Sequence, residues 1–69
     1  MTAADRAGRA ARLKLAVDEM ASRYGTACMR YGMAVMAPDI IRAERTRSRR
    51  YRALMRLTAA LADVATEAR

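Results

Sequence analysis

The chain has 69 residues, a net charge of +7, one cysteine and no histidine. This length limits it to a single small domain, residues 1–69, which the sequence patterns described below predict to be helical. The lack of histidine removes the usual general base and the common zinc ligands. No glycine-rich phosphate loop or carboxylate dyad is evident in the sequence. We therefore expect a non-enzyme that needs no cofactor or metal and has no small-molecule substrate.

The hydrophobic fraction of 54% overstates the material available for a core, because seventeen of those residues are alanine and neither Trp nor Phe occurs. A domain of this size buries only about 60% of its unfolded surface, so a monomer would be marginally stable. A single cysteine cannot form an internal disulfide. The sequence therefore predicts a homo-oligomer, most simply a dimer, or docking on a larger partner.

No segment reaches the ~18–20 apolar residues that a membrane span requires. The Ala- and Arg-rich start is similar in composition to an organellar presequence, but Asp5, Asp18 and Glu19 argue against that interpretation. With no visible secretory signal and one unpaired cysteine, the expected location is the cytoplasm, with no membrane partner.

The first predicted element is an α-helix over about 3–36, with Thr2 and Asp5 as its capping residues. Its apolar stripe has steps of three and four residues and comprises Ala10, Leu13, Val17, Met20, Tyr24, Cys28, Tyr31 and Val35. Gly25-Thr26 is a competent stop-and-start signal, which would give three helices. Because the stripe passes Gly25 without losing phase, we favour one long helix.

Two small-residue positions, Gly25 and Gly32, lie on one face of this helix together with Ala21 and Cys28. They either allow another helix to approach closely or are simply tolerated. Cys28 also lies on the apolar stripe and has no histidine partner, which favours a buried hydrophobe over a reactive thiol.

Ala37-Pro38-Asp39 predicts a break between helices, because proline suits the first turn of a helix and disfavours helix before it. The second helix should cover about 38–67. Its predicted apolar stripe is Ile40, Tyr51, Leu54, Thr58, Leu61 and Ala65, widened by Leu57 and Val64. Two helices of matched length imply an all-α antiparallel helical hairpin, and two hairpins would form a dimeric four-helix bundle.

The second helix carries the strongest functional signal, a run of arginines. Its members are Arg42, Arg45, Arg47, Arg49, Arg50, Arg52 and Arg56. Five of them, all but Arg47 and Arg50, fall within roughly an 80° arc of the helix. Arg47 and Arg50 fall on the apolar side, so this half is expected to be frayed, exposed or pressed against an anion. The arginine face continues to Asp63 and Glu67, which could pair with an antiparallel neighbour.

The charge favours a polyanion as partner, most simply nucleic acid bound through its phosphates. The alternative is an acidic surface of a larger protein machine, bound by an inhibitor or assembly component of the kind that phages and mobile elements encode. A solvated or self-associating face and an anionic membrane surface are the weaker interpretations. Tyr51 is expected to pack in the core rather than stack on a base.

A second candidate partner face consists of Met29, Met33 and Met36. These residues lie away from the main stripe of the first helix, and flexible methionines suit adaptable contacts. The face is interpreted as a packing surface within an oligomer, with a foreign partner as the alternative.

Overall fold

The computed structural model describes residues 2–67, which form two α-helices joined by a short turn. Helix α1 is Ala3–Met33 and helix α2 is Ala37–Glu67, each of 31 residues. The pair extends 52 × 14 × 13 Å along its principal axes. The predicted all-α antiparallel helical hairpin is confirmed, whereas dimerisation stays a prediction.

Helix α1 begins with a capping box. The backbone N–H of Asp5 donates to Thr2 Oγ1 at 3.1 Å, and the backbone N–H of Thr2 donates to Asp5 Oδ2 at 3.2 Å. These two bonds satisfy N–H groups that a helix start otherwise leaves unpaired. Hydrogen bonding from the Thr2 side chain and backbone lowers the pKa of the Asp5 carboxyl below its ordinary value.

Helix α1 passes through Gly25 without interruption, so the three-helix alternative is wrong. A glycine that ends a helix normally adopts a positive φ, and no glycine among residues 2–67 does so. The helix ends three residues earlier than predicted. The backbone of Ala34 is extended, and Met36 accepts the N–H of Ile40 at 2.9 Å as α2 begins, so 34–36 are needed for the reversal.

The two helices meet along a seam in which half-buried and buried residues alternate in steps of three and four, as in a coiled coil. On α1 the seam residues are Ala10, Leu13, Val17, Met20, Tyr24, Ala27 and Tyr31, and Ala34 continues the seam directly after the helix. On α2 they are Ile40, Ala43, Arg47, Arg50, Leu54, Leu57, Leu61 and Val64. Among the residues described, only Ala27 and Val64 are classed as buried, at 1% and 2% exposure, so the core is thin.

The predicted apolar stripes require three corrections. On α1, Val35 lies past the helix end and is 85% exposed, and Ala27 takes the buried position that adjacent Cys28 was expected to hold. Cys28 itself is half-buried. On α2, the predicted members Tyr51, Thr58 and Ala65 are exposed. The predicted α2 stripe is rotated around the helix relative to the observed seam. The prediction placed only apolar residues in the stripe, whereas two of the observed seam positions are arginines.

Neither helix contains an apolar stretch long enough for a bilayer crossing, as far as residues 2–67 are concerned.

Candidate functional site

The five arginines predicted to share a face of α2 do so, and all five are exposed. We call them the outer arginine stripe: Arg42, Arg45, Arg49, Arg52 and Arg56. Because α2 is continuous from Ala37 to Glu67, the stripe is a straight row. At 1.5 Å per residue it is about 21 Å long. It points away from α1.

Within residues 2–67, the outer arginine stripe makes no ion pair. Across residues 2–67 the ion pairs are Lys14 Nζ to Asp18 Oδ1 and Arg23 Nη2 to Glu19 Oε1, both at 2.6 Å and both on α1. Glu44, which lies among these arginines along α2, makes no ion pair in that range. Asp63 and Glu67 are exposed farther along α2. The stripe therefore presents five arginines that have no carboxylate within ion-pair distance among the described residues.

Arg47 differs from the stripe because it turns towards α1. Its guanidinium carbon lies 4.0 Å from the centroid of the Tyr31 ring, and its side chain is half-buried. A cation over the face of an aromatic ring is attracted by the electron density of that face, typically by about 0.5–2 kcal/mol. Tyr31 thus holds Arg47 within the seam.

Arg50 is held in a second way. Its Nη1 donates a hydrogen bond of 2.9 Å to the backbone carbonyl of Arg23 in the interior of α1. The expectation that this half of α2 would be frayed is therefore wrong, because the helix is continuous from Ala37 to Glu67. That it presses against an anion stays a prediction. An aromatic face and a carbonyl oxygen accept the two seam arginines, and the helix stays continuous. Arg47 and Arg50 are half-buried, so their side chains are less accessible to an external anion than those of the outer arginine stripe.

Tyr51 lies at the edge of the seam rather than inside it. Its ring centroid is 5.6 Å from that of Tyr24, with the planes tilted by 50°, and it remains 47% exposed. Hydrogen bonding with Cys28, followed by desolvation, raises the pKa of the Tyr24 hydroxyl above its ordinary value. Tyr24 and Tyr51 border an open groove together with Arg47, Ser48 and Arg52. An exposed ring beside arginines is a geometry in which a nucleobase can stack.

The basic surface also reaches α1, which the sequence did not indicate. Arg30 of α1 and Arg42 of α2 line one groove of about 350 Å³ beside the turn, together with Asp39. The neighbourhood of Arg30 and Arg42 could have been predicted from the register of the two helices. In an antiparallel hairpin, residues at equal distances from the turn become neighbours. Residues 19–52 carry eight arginines against three acids, whereas the rest of the described chain carries five basic residues against four acids.

The three candidate methionines, Met29, Met33 and Met36, are all largely exposed, at 65%, 73% and 63%. Met33 lines the groove that contains Arg30 and Arg42. Within residues 2–67 there is no cluster of three or more His, Cys, Asp or Glu side chains that could hold a metal ion.

The fold and this surface define a two-helix hairpin with a basic outer face. Comparisons with protein-family models, with curated proteins and with solved structures find no match for this chain.

Proposed function

We propose that this chain is a non-enzymatic helical binding protein whose outer arginine stripe binds the phosphate backbone of nucleic acid. The observation that carries the proposal is the row of five exposed arginines, about 21 Å long, with no carboxylate partner in residues 2–67. Elsewhere in the same chain, exposed Lys14 and Arg23 do have such partners. A charged row left unpaired on a rigid element favours an external anion.

The dimensions of the stripe suit a duplex. An α-helix with its side chains is about 10–12 Å across, close to the ~12 Å width of the DNA major groove. Guanidinium groups form charge-assisted, often bidentate, hydrogen bonds with phosphate oxygens. Such contacts fix position without reading sequence, so we expect binding with little sequence preference, at ~10⁻⁴–10⁻⁶ M under physiological salt. The protein would act in the cytoplasm, as its lone cysteine predicts.

One observation favours a second candidate, an acidic protein surface. Met33 is 73% exposed and lies in the same groove as Arg30 and Arg42. Methionine and arginine are both enriched at protein interfaces. In that case the chain would be an inhibitor or assembly component of a larger machine, as phages and mobile elements encode.

The test compares two double variants that each lower the net charge by two. One is Arg49→Gln with Arg52→Gln, in the stripe; its matched control is Arg9→Gln with Arg12→Gln, two exposed α1 arginines at the same spacing. Binding to a labelled random-sequence duplex is measured by fluorescence anisotropy over a series of salt concentrations. The stripe variant should lose affinity by about tenfold or more, and its log–log salt slope should fall by about 2, since each phosphate contact contributes about 0.9.

The control variant should retain most of its affinity. Equal losses in both variants would mean that net charge, not the stripe, governs binding. If the parent chain binds duplex no tighter than ~10⁻⁴ M at low salt, the nucleic-acid proposal is wrong. Stronger binding to polyglutamate than to duplex would favour the acidic protein surface instead.

A further inference from the structure

One groove of the hairpin combines aromatic rings with arginines. It is lined by Tyr24 of α1 and by Arg47, Ser48, Tyr51 and Arg52 of α2, and it has an open volume of about 530 Å³. At about 100° per residue, Arg47 lies on the seam side of α2 and Arg52 on the outer side, with Tyr51 and Ser48 between them. We call this the tyrosine groove.

Tyr51 is a large aromatic side chain that the fold leaves about half uncovered. It is 47% exposed, and it is the one aromatic among the exposed large apolar side chains of residues 2–67. Its ring contacts that of Tyr24 at a centroid distance of 5.6 Å and a tilt of 50°. Because this contact restricts the ring, an arriving flat group meets an ordered surface and loses less entropy on binding.

The tyrosine groove is continuous with the outer arginine stripe. Ser48 and Arg52 also line the neighbouring groove, where the other lining residues are Ile41, Glu44, Arg45 and Arg49. Three of the residues that line the neighbouring groove are stripe arginines, and Glu44 is the one carboxylate lining either groove within residues 2–67. A chain of negative charges that follows the stripe therefore passes beside the exposed ring of Tyr51.

A ligand that fits both features carries phosphates along its length and flat rings at its side. A single strand of nucleic acid has this chemistry, because an unpaired base can stack on an aromatic side chain while the phosphates contact arginines. In a duplex the bases are paired and stacked within the double helix, so their faces are closed to a tyrosine. The stripe can bind either form, but the tyrosine groove distinguishes them.

We infer that the tyrosine groove binds an unpaired base of single-stranded nucleic acid, with Tyr51 as the surface on which the base stacks. The inference rests on the proposed function, because the outer arginine stripe binds the phosphates of the same strand. Every base has a π-face, so the groove accepts any of them. The Ser48 hydroxyl can either donate or accept a hydrogen bond, which also suits different base edges.

The test compares two labelled single strands of equal length and charge. One is an unstructured strand of mixed sequence, and in the other stable abasic sites replace the bases. Fluorescence anisotropy measures the affinity of the parent chain for each strand at the same salt concentration. The parent should bind the strand with bases about tenfold more tightly, which corresponds to about 1.4 kcal/mol, because the phosphates are equal and stacking differs.

Substitutions then locate the stacking contact. Tyr51→Leu keeps an apolar side chain beside Tyr24 but should lose the tenfold preference, whereas Tyr51→Phe should keep it because the ring remains. Met55→Ala is the matched control, since Met55 lies one turn farther along α2 and is 44% exposed; it should keep the preference. Tyr51→Leu should bind duplex as tightly as the parent, which also shows that its stripe is intact.

The outcomes separate this inference from the proposed function. Equal affinity of the parent for the two strands would overturn the inference while the proposed function stands. The same holds for a preference that survives Tyr51→Leu, or for equal losses in Tyr51→Leu and Met55→Ala. If the parent binds neither strand and no duplex, the proposed function is wrong and the inference falls with it.

Discussion

The two halves of the hairpin are built from the same two helices but differ in what fills the seam. In the half near the termini, the α2 seam is aliphatic, with Leu54, Leu57, Leu61 and Val64. In the half near the turn, Arg47 and Arg50 occupy equivalent positions and are held by Tyr31 and a backbone carbonyl. The charge follows the same division, with eight arginines against three acids in residues 19–52.

This difference indicates that the two halves of the hairpin have different roles. The terminal half buries apolar side chains and therefore supplies most of the stability, whereas the turn half gives up apolar burial to carry charge. A continuous α2 connects them, so packing in the terminal half can help to hold the arginine stripe straight.

The largest expected effect comes from thinning the terminal seam. Leu57→Ala should lower the free energy of unfolding by about 2 kcal/mol, because it removes half-buried methyl groups from the interface between the helices. Urea denaturation followed by circular dichroism measures the change. Leu15→Ala, the same substitution at a site that is 70% exposed, is the control and should change stability by less than about 0.5 kcal/mol. Equal effects at the two sites would contradict the importance of the seam.

A smaller effect is expected from removing the charge in the other half of the seam. Arg47→Met with Arg50→Met should raise the free energy of unfolding by about 1 kcal/mol, since apolar side chains of similar length replace partly buried charges. Thermal and urea denaturation provide the measurement.

The matched control for this pair is Arg49→Met with Arg52→Met, which has the same spacing and loses the same charge on the outer face. It should leave stability within about 0.5 kcal/mol but weaken duplex binding, whereas the seam variant should bind nearly as well as the parent. Destabilisation by the seam variant would show that Arg47 and Arg50 contribute more to the fold than an apolar seam would.

The smallest effect concerns the start of α1. Thr2→Ala should cost about 0.5 kcal/mol by removing the N-cap. Because the pKa of Asp5 is lowered in the folded chain, its contribution is present above its ordinary value of 3.8 and is lost as the pH falls through the lowered value. Amide exchange in the first turn should therefore quicken in acid beyond its intrinsic pH dependence. Asp5→Asn removes the titrating group, and an unchanged pH response in that variant would exclude Asp5 as the cause.

Much of the hairpin could be predicted from the sequence because its signals are local. The break at Pro38 and the cap at Thr2 depend on backbone chemistry within a few residues, and the in-phase stripe around Gly25 predicted an uninterrupted α1. The outward direction of the arginine stripe followed from helical spacing alone. The phase of α2 was harder to predict, because an arginine inside a seam has the same identity as an arginine on a surface.

The sequence by itself determined two helices, their antiparallel arrangement and the row of five arginines, since each of these depends on spacing along one chain. Only the tertiary structure decided what holds the other two arginines. Their partners, the Tyr31 ring and the Arg23 carbonyl, lie on the other helix and come within reach of Arg47 and Arg50 only after the chain reverses. Arg30 and Arg42 likewise line one groove only because the chain reverses between them. Which residues face each other across the seam depends on both helices together. That register brings Arg47 and Arg50 to partners on α1 and leaves the outer arginine stripe exposed.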